Sequence, residues 1–223
     1  MPMPVFRRQL ATAAAATWFA SPAGQMVIAS EADVLRTVAR ERPNQPGLWL
    51  QPGVVDMGDI DCLDAPGVRL HAAGAGFAGD IRCGSALPFA NECCGVVVVQ
   101  HLADISAEPA ALLAECARIL MPGGRLWLLA LNPLAPYRLR WQGQGPRPAE
   151  PVTWRRRLRA TGLVPDPVSQ GVGPTWAIAI APELQDGAGL RAAFLLRAEK
   201  RRIPLTPLRA TRTLRLQTGL PAA

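Results

Sequence analysis

The chain has 223 residues, the size of one α/β domain with a modest appendage, and 49% of them are apolar, enough for a full core and too many for wholesale disorder. No stretch approaches the ~20 apolar residues of a membrane span, and five cysteines without regular spacing exclude a disulfide framework and fit reduced thiols in the cytoplasm. The net charge of +7 is uneven: residues 151–223 hold eleven Arg and one Lys against four acids, whereas the first 150 residues are nearly balanced. A basic C-terminal third suits RNA, DNA or an anionic membrane. It carries no aromatic interleaving and no nucleic-acid motif, so contact through these arginines stays an open reading beside simple arginine bias.

Arg7-Arg8 and the Ala/Thr-rich stretch up to Ala20 imitate a signal peptide, but the apolar region is weak, and alanine favours helix. The plainer expectation is an N-terminal helical segment over residues 1–46 that packs Trp18 and Phe19 on the core. Glu31 to Arg40 reads as a helix with Ser30 as its N-cap and Val34, Leu35 and Val38 inward. An α/β domain over 47–203 follows. Its first strand is expected within Gly47 to Gly53, centred on Leu48 to Leu50, and its second at Val68 to Ala72. Gly74-Ala75-Gly76-Phe77-Ala78-Gly79 matches G-x-G-x-x-G, but the fingerprint must open a helix. Here it runs into Asp80-Ile81-Arg82, read as a short strand, so the glycines read as a flexible loop.

The four valines Val96 to Val99, bounded by turn signals, suit a strand buried on both faces of a parallel sheet, ending in Gln100-His101. Glu108 to Leu120 repeats apolar residues at helical spacing, with Leu112, Leu113, Cys116, Ile119 and Leu120 on one face. Pro122-Gly123-Gly124 is expected to stop that helix before a strand from Arg125 to Leu131. Strand, helix, strand is a βαβ crossover, right-handed by rule. A loop with Asn132, Tyr137 and Trp141 leads to a Gly/Pro-rich stretch. Thr153 to Thr161 then fits a helix with Trp154 and Leu158 inward. Thr175 to Ile180 and Ala192 to Leu196 read as two closing strands, and residues 204–223 as a loose basic tail.

His101 is the one histidine placed for proton transfer, at the end of a strand, with a structural loop histidine as the alternative. Cys83, Cys93, Cys94 and His101 lack metal-ligand spacing, and no metal is expected.

The order of these pieces carries a resemblance. Ala86-Leu87-Pro88-Phe89, the buried strand ending in Gln100-His101, and Arg118-Ile119-Leu120-Met121-Pro122-Gly123-Gly124 before another strand resemble class I S-adenosylmethionine-dependent methyltransferases, within them the type 11 domain. Trp18-Phe19-Ala20-Ser21-Pro22-Ala23-Gly24 and Lys200 to Leu208 resemble the opening and closing segments of one bacterial subfamily. The resemblance implies a Rossmann-like, doubly wound, mostly parallel sheet of about seven strands, helices on both faces and an antiparallel closing strand. It implies S-adenosylmethionine as cofactor, held by Gln51, Gly53, Ala73, Ser85, Ala86, Leu87 and Gln100. Asn132, Tyr137 and Trp141 would border the acceptor.

This chain departs from the family pattern at three places. One glycine, Gly53, stands where a glycine-rich turn is usual; alanine (Ala72 or Ala73) replaces the ribose-binding acid; Ser85 replaces the adenine-side acid. Two functions follow as expectations: methyl transfer to an unidentified acceptor, such as a small molecule, from a degenerate cofactor site, or a methyltransferase-shaped binding or scaffold protein without turnover.

Overall fold

The computed structural model describes residues 13–41, 44–53 and 67–201. The valine-rich and leucine-rich runs form the centre of one mixed sheet. The strands are β1 (Gly47–Gln51), β2 (Gly67–Ala73), β3 (Gly76–Gly79), β4 (Cys94–Gln100), β5 (Leu120–Leu131), β6 (Val164–Pro165), β7 (Gln170–Val172), β8 (Gln185–Asp186) and β9 (Ala193–Glu199). Their order is β3-β2-β1-β4-β5-β9-β7-β8, with β6 on β9. β2, β1, β4 and β5 run parallel, and β3, β9, β7, β8 and β6 each pair antiparallel. The fold is Rossmann-like, with nine strands among the described residues rather than seven, and parallel only in its central four. Every residue of β4 is buried, as a strand covered on both faces requires.

The helices are α1 (Ala13–Phe19), α2 (Pro22–Ser30), α3 (Ala32–Glu41), α4 (Leu102–Ile105), α5 (Pro109–Ile119) and α6 (Pro151–Ala160). α5 crosses from β4 to β5 and buries Leu112, Leu113, Cys116, Ala117 and Ile119; α6 buries Trp154 and Leu158. The first three helices share the core of the sheet through Trp18, Phe19, Val27, Leu35 and Val38. Polar ties add to this packing: Trp18 Nε1 donates to the Arg140 carbonyl at 2.9 Å, and the Tyr137 hydroxyl donates to the Ala23 carbonyl at 3.0 Å.

Five sequence expectations change. Ser30 is not an N-cap but the last residue of α2, a helix the sequence reading missed, capped by Ser21 with Pro22 in its first turn. The glycine-rich stretch is not a flexible loop: Gly74, with φ +59°, turns β2 into β3. Gly79 approaches the Arg69 carbonyl too closely for any Cβ. The strand is therefore Gly76–Gly79 itself, and Asp80 to Arg82 lies outside it. Pro122-Gly123-Gly124 does not stop α5, which ends at Ile119. Leu120 already pairs with Cys94, and the glycines form a register shift before Arg125 meets Val96. The chain's one lysine, Lys200, caps the helix end by donating to the carbonyls of Ala117 and Leu120, both at 2.7 Å.

Thr175 to Ile180 is not a strand but an irregular run in which every residue is exposed. The open edge of β9 is already taken by β7 at Ala193 to Leu195 and by β6 at Ala198 and Glu199, which leaves that run no partner there. The turn continuing past Gly53 and the 204–223 tail lie outside the described residues.

Candidate functional site

Parallel strands end together, and here the two central ones end on glutamines. Gln51 closes β1 and is half-buried; Gln100 closes β4 and is buried; Ala73 closes β2 and is exposed. β1 lies between β2 and β4, the point where strand order reverses, and ligands of open α/β sheets sit outside the strand ends at that point. A cavity of about 980 Å³ opens at the end of β2. It is lined by Ala73 and Phe77 of the β2–β3 hairpin, Cys83 to Ala86 of the next loop, and Ser106, Glu108 and Glu115 around α5. That volume is at the upper end of small-ligand sites.

The loop that carries Ser85, Ala86 and Leu87 is held by α5. Arg118 donates to the carbonyls of Leu87 at 2.9 Å and Phe89 at 2.8 Å, and to Asn91 Oδ1 at 2.9 Å. Glu115 accepts the Leu87 N–H at 3.1 Å and pairs with Arg118 at 2.9 Å. Bonding to Arg118 keeps the Glu115 carboxyl below its ordinary range, against the effect of burial. Ser85 and Ala86 are exposed to the cavity and Leu87 is buried behind it.

His101 belongs to a second, enclosed cluster. It adopts φ 50°, is wholly buried, and stacks on Phe19 with centroids 4.8 Å apart. Its Nε2 lies 2.8 Å from Glu31 Oε1 and its Nδ1 3.2 Å from Asp104 Oδ2. Burial pulls the imidazole pKa down, but Glu31 and Asp104 more than reverse this and push it up to about 9, so the ring is protonated at neutral pH. Burial pushes the Asp104 carboxyl up, while His101 and the Leu131 N–H at 2.7 Å pull the other way. Glu31 also accepts from Gln100 Nε2 at 2.7 Å, and Gln100 Oε1 accepts from Gln51 Nε2 at 3.4 Å. A chain of polar contacts therefore runs from His101 through Glu31 and Gln100 to the tip of β1.

The predicted residues thus fall into three groups. Ala73, Ser85 and Ala86 share the cavity, with Leu87 behind them. Gln51, Gln100 and His101 share the Glu31 network, and Gly53 follows β1 with no atom of the described residues within 4 Å of where a Cβ would stand. Asn132 and Tyr137 are wholly buried and Trp141 nearly so. Asn132 Nδ2 donates to the carbonyls of Gly189 and Arg191, both at 3.0 Å, and so acts as a loop clamp. Sequence reasoning missed Glu31, Asp104, Glu115 and Arg118. The i, i+3 spacing of Glu115 and Arg118 was readable as a helix pair; nothing in the sequence shows that Glu31 folds back onto His101. Among the described residues no His, Cys, Asp and Glu side chains cluster as metal ligands.

Residues 59–128 match the type 11 family described as "Methyltransferase domain". A stretch of 65 residues is 37% identical to a ubiquinone biosynthesis O-methyltransferase of Parvibaculum lavamentivorans, covering 28% of this chain and only 26% of that protein. Among solved structures, a SAM-dependent methyltransferase of Thermotoga maritima aligns at TM-score 0.59 and 14% identity over 83% of this chain and 93% of its own. The 1,6-didemethyltoxoflavin-N1-methyltransferase of Burkholderia thailandensis, solved with that compound and S-adenosylhomocysteine, aligns at TM-score 0.52 and 10% identity, covering 78% and 80% of the two chains. The chain has the fold of the class I S-adenosylmethionine-dependent methyltransferases. Within that fold, the similarity to the type 11 methyltransferase domain is confined to residues 59–128.

Proposed function

We propose that the chain binds S-adenosylmethionine at the strand ends and transfers its methyl group to an acceptor. The observation that carries this reading is the cavity, which joins the end of β2, the strand next to β1, to Ser85 and Ala86 and to the start of α5. The residues present fit the group by size and by chemistry. Ser85 offers a hydroxyl to the adenine end, Leu87 lies behind it, Ala73 leaves room for the ribose, and Glu108 lines the same wall. Gly53, at the tip of β1, carries no Cβ to oppose close approach of the methionine moiety to the backbone. When bound, S-adenosylmethionine supplies an electrophilic methyl group on a sulfonium, and the protein's part is positioning and exclusion of water.

In this reading Glu31 orients the Gln100 amide, and Gln100 in turn orients Gln51. His101 holds Glu31 in place rather than touching an acceptor, because both of its nitrogens face carboxylates inside the core. Asn132, Tyr137 and Trp141 shape the acceptor side from beneath. A second reading, a methyltransferase-shaped binding module without turnover, is favoured by Ala73, which offers no side-chain acceptor where a ribose-binding acid is usual.

Titration calorimetry with S-adenosylhomocysteine separates the two. Micromolar binding, about −8 kcal/mol, is expected from the first reading. A folded protein that gives no binding heat at millimolar ligand would leave the second.

A further inference from the structure

Among the described residues, a group of exposed apolar side chains lies at the same end of the sheet as the candidate site. All six residues of the run 175–180 are exposed, and they include Trp176, Ile178 and Ile180. Leu134 and Leu139, on the loop after β5, and Leu190 before β9 stand with them; these six side chains are between 46% and 63% exposed. The two loops are bound together. Arg140 Nη2 donates to the Trp176 carbonyl at 3.0 Å, and Asn132, beside Leu134, holds the carbonyls on either side of Leu190. The register fixes their location: Leu131 of β5 pairs with Ala193 of β9, and Val172 of β7 pairs with the same residue, so both loops leave the sheet at one end. Runs of exposed apolar residues on a folded protein mark an interaction surface.

Two properties of this surface choose its partner. Its bulky groups are an indole and aliphatic side chains on separate loop tips, which suits a fluid phase more than a partner of fixed shape. Tryptophan is also the residue enriched where protein meets the headgroup layer. The second property is charge. Arg138 and Arg147 are exposed on the β5 loop, and the exposed acid Glu183 is answered by Arg191 at 3.7 Å. Asp186 remains as a countercharge in β8, yet the chain as a whole carries +7, with its surplus in the C-terminal third. No helix among the described residues is long and apolar enough to cross a membrane, so contact would be with the surface layer.

We propose that this loop end docks on an anionic lipid bilayer. Trp176, Ile178 and Ile180 enter the boundary between headgroups and acyl chains, and Arg138 and Arg147 meet lipid phosphates. The strand ends bearing Gln51 and Gln100 then face the same side of the molecule as the bilayer.

The test is co-sedimentation of the full chain with vesicles of phosphatidylcholine alone or mixed with phosphatidylglycerol. Binding to the anionic vesicles, weakened by salt, is expected. The triple variant Trp176→Ser, Ile178→Ser, Ile180→Ser should lower partitioning by at least about tenfold with an unchanged melting temperature, because these side chains are exposed. Arg138→Glu with Arg147→Glu should reduce the preference for anionic lipid. No sedimentation at low salt would overturn the proposal, as would a triple variant that binds like the parent. A dimer dissolved by the triple variant, without vesicle binding, would show that the surface serves a second copy of this chain instead. The assay reads no cofactor and no methyl transfer, so its outcome is separate from that of the calorimetry.

Discussion

His101 is a cation buried between two carboxylates, and its energetics follow from that position. Its pKa rises from the ordinary 6.5 to about 9 on folding. A raised pKa means the folded state binds the proton more tightly, so this contribution is fully present below 6.5 and lost as pH climbs through 9. Asp104, whose carboxyl burial also pushes up, acts in the same direction. Urea unfolding followed from about pH 6 to about pH 10 should therefore show stability falling by on the order of 3 kcal/mol. His101→Asn is the matching variant, since asparagine tolerates the left-handed backbone found there. It leaves Glu31 and Asp104 buried without their cation and should cost roughly 3–5 kcal/mol at neutral pH. The variant should also flatten the alkaline decline. A parent profile with no slope in that window would contradict the buried-cation account.

At the scale of elements, α5 has two functions: it fills the crossover between β4 and β5 and fastens the loop that lines the cavity. Arg118→Ala removes the donors to Leu87, Phe89 and Asn91 together. Because Arg118 is about one-third exposed, the expected loss is modest, about 1–2 kcal/mol. Amide exchange should speed up across residues 85–91 more than elsewhere, and unchanged exchange there would refute the clamp. β1, β2, β4, α5 and α6 were legible because their apolar periods agree with the structure's burial. α2 was also legible in principle, since Ser21-Pro22 is a helix-start signal, but its opening residues were read only as part of a motif. The run Trp176 to Ile180 has strand-like composition and still forms no strand. Pairing depends on a free edge, and which edges are free is a tertiary fact.

For the whole molecule, the sequence order of strand, helix and strand was enough for an α/β sheet, and the family resemblance added its Rossmann-like arrangement. The antiparallel closing strand implied by the resemblance is present as β9, but β6, β7 and β8 were not foreseen, because each is only two or three residues long. The candidate site was legible in part. Ser85 and Ala86 do line the cavity, but the contacts that orient Gln51 and Gln100 come from Glu31, dozens of residues distant in sequence. Leu50 lies wholly buried in β1, between β2 and β4. Leu50→Asp places a charge at the centre of the sheet and should abolish soluble expression; a folded variant would refute the placement of β1.

The central claim is that the cavity beside the Ser85–Leu87 loop is where S-adenosylmethionine binds. The most direct measurement is parallel calorimetry of the parent and Ala86→Trp with S-adenosylhomocysteine. Ala86 is exposed on the cavity wall, so the added indole fills ligand space without disturbing the core. The account predicts parent binding and at least about a tenfold loss in the variant, some 1.4 kcal/mol, at an unchanged melting temperature. Equal affinity in the two proteins would place the ligand elsewhere and contradict the account.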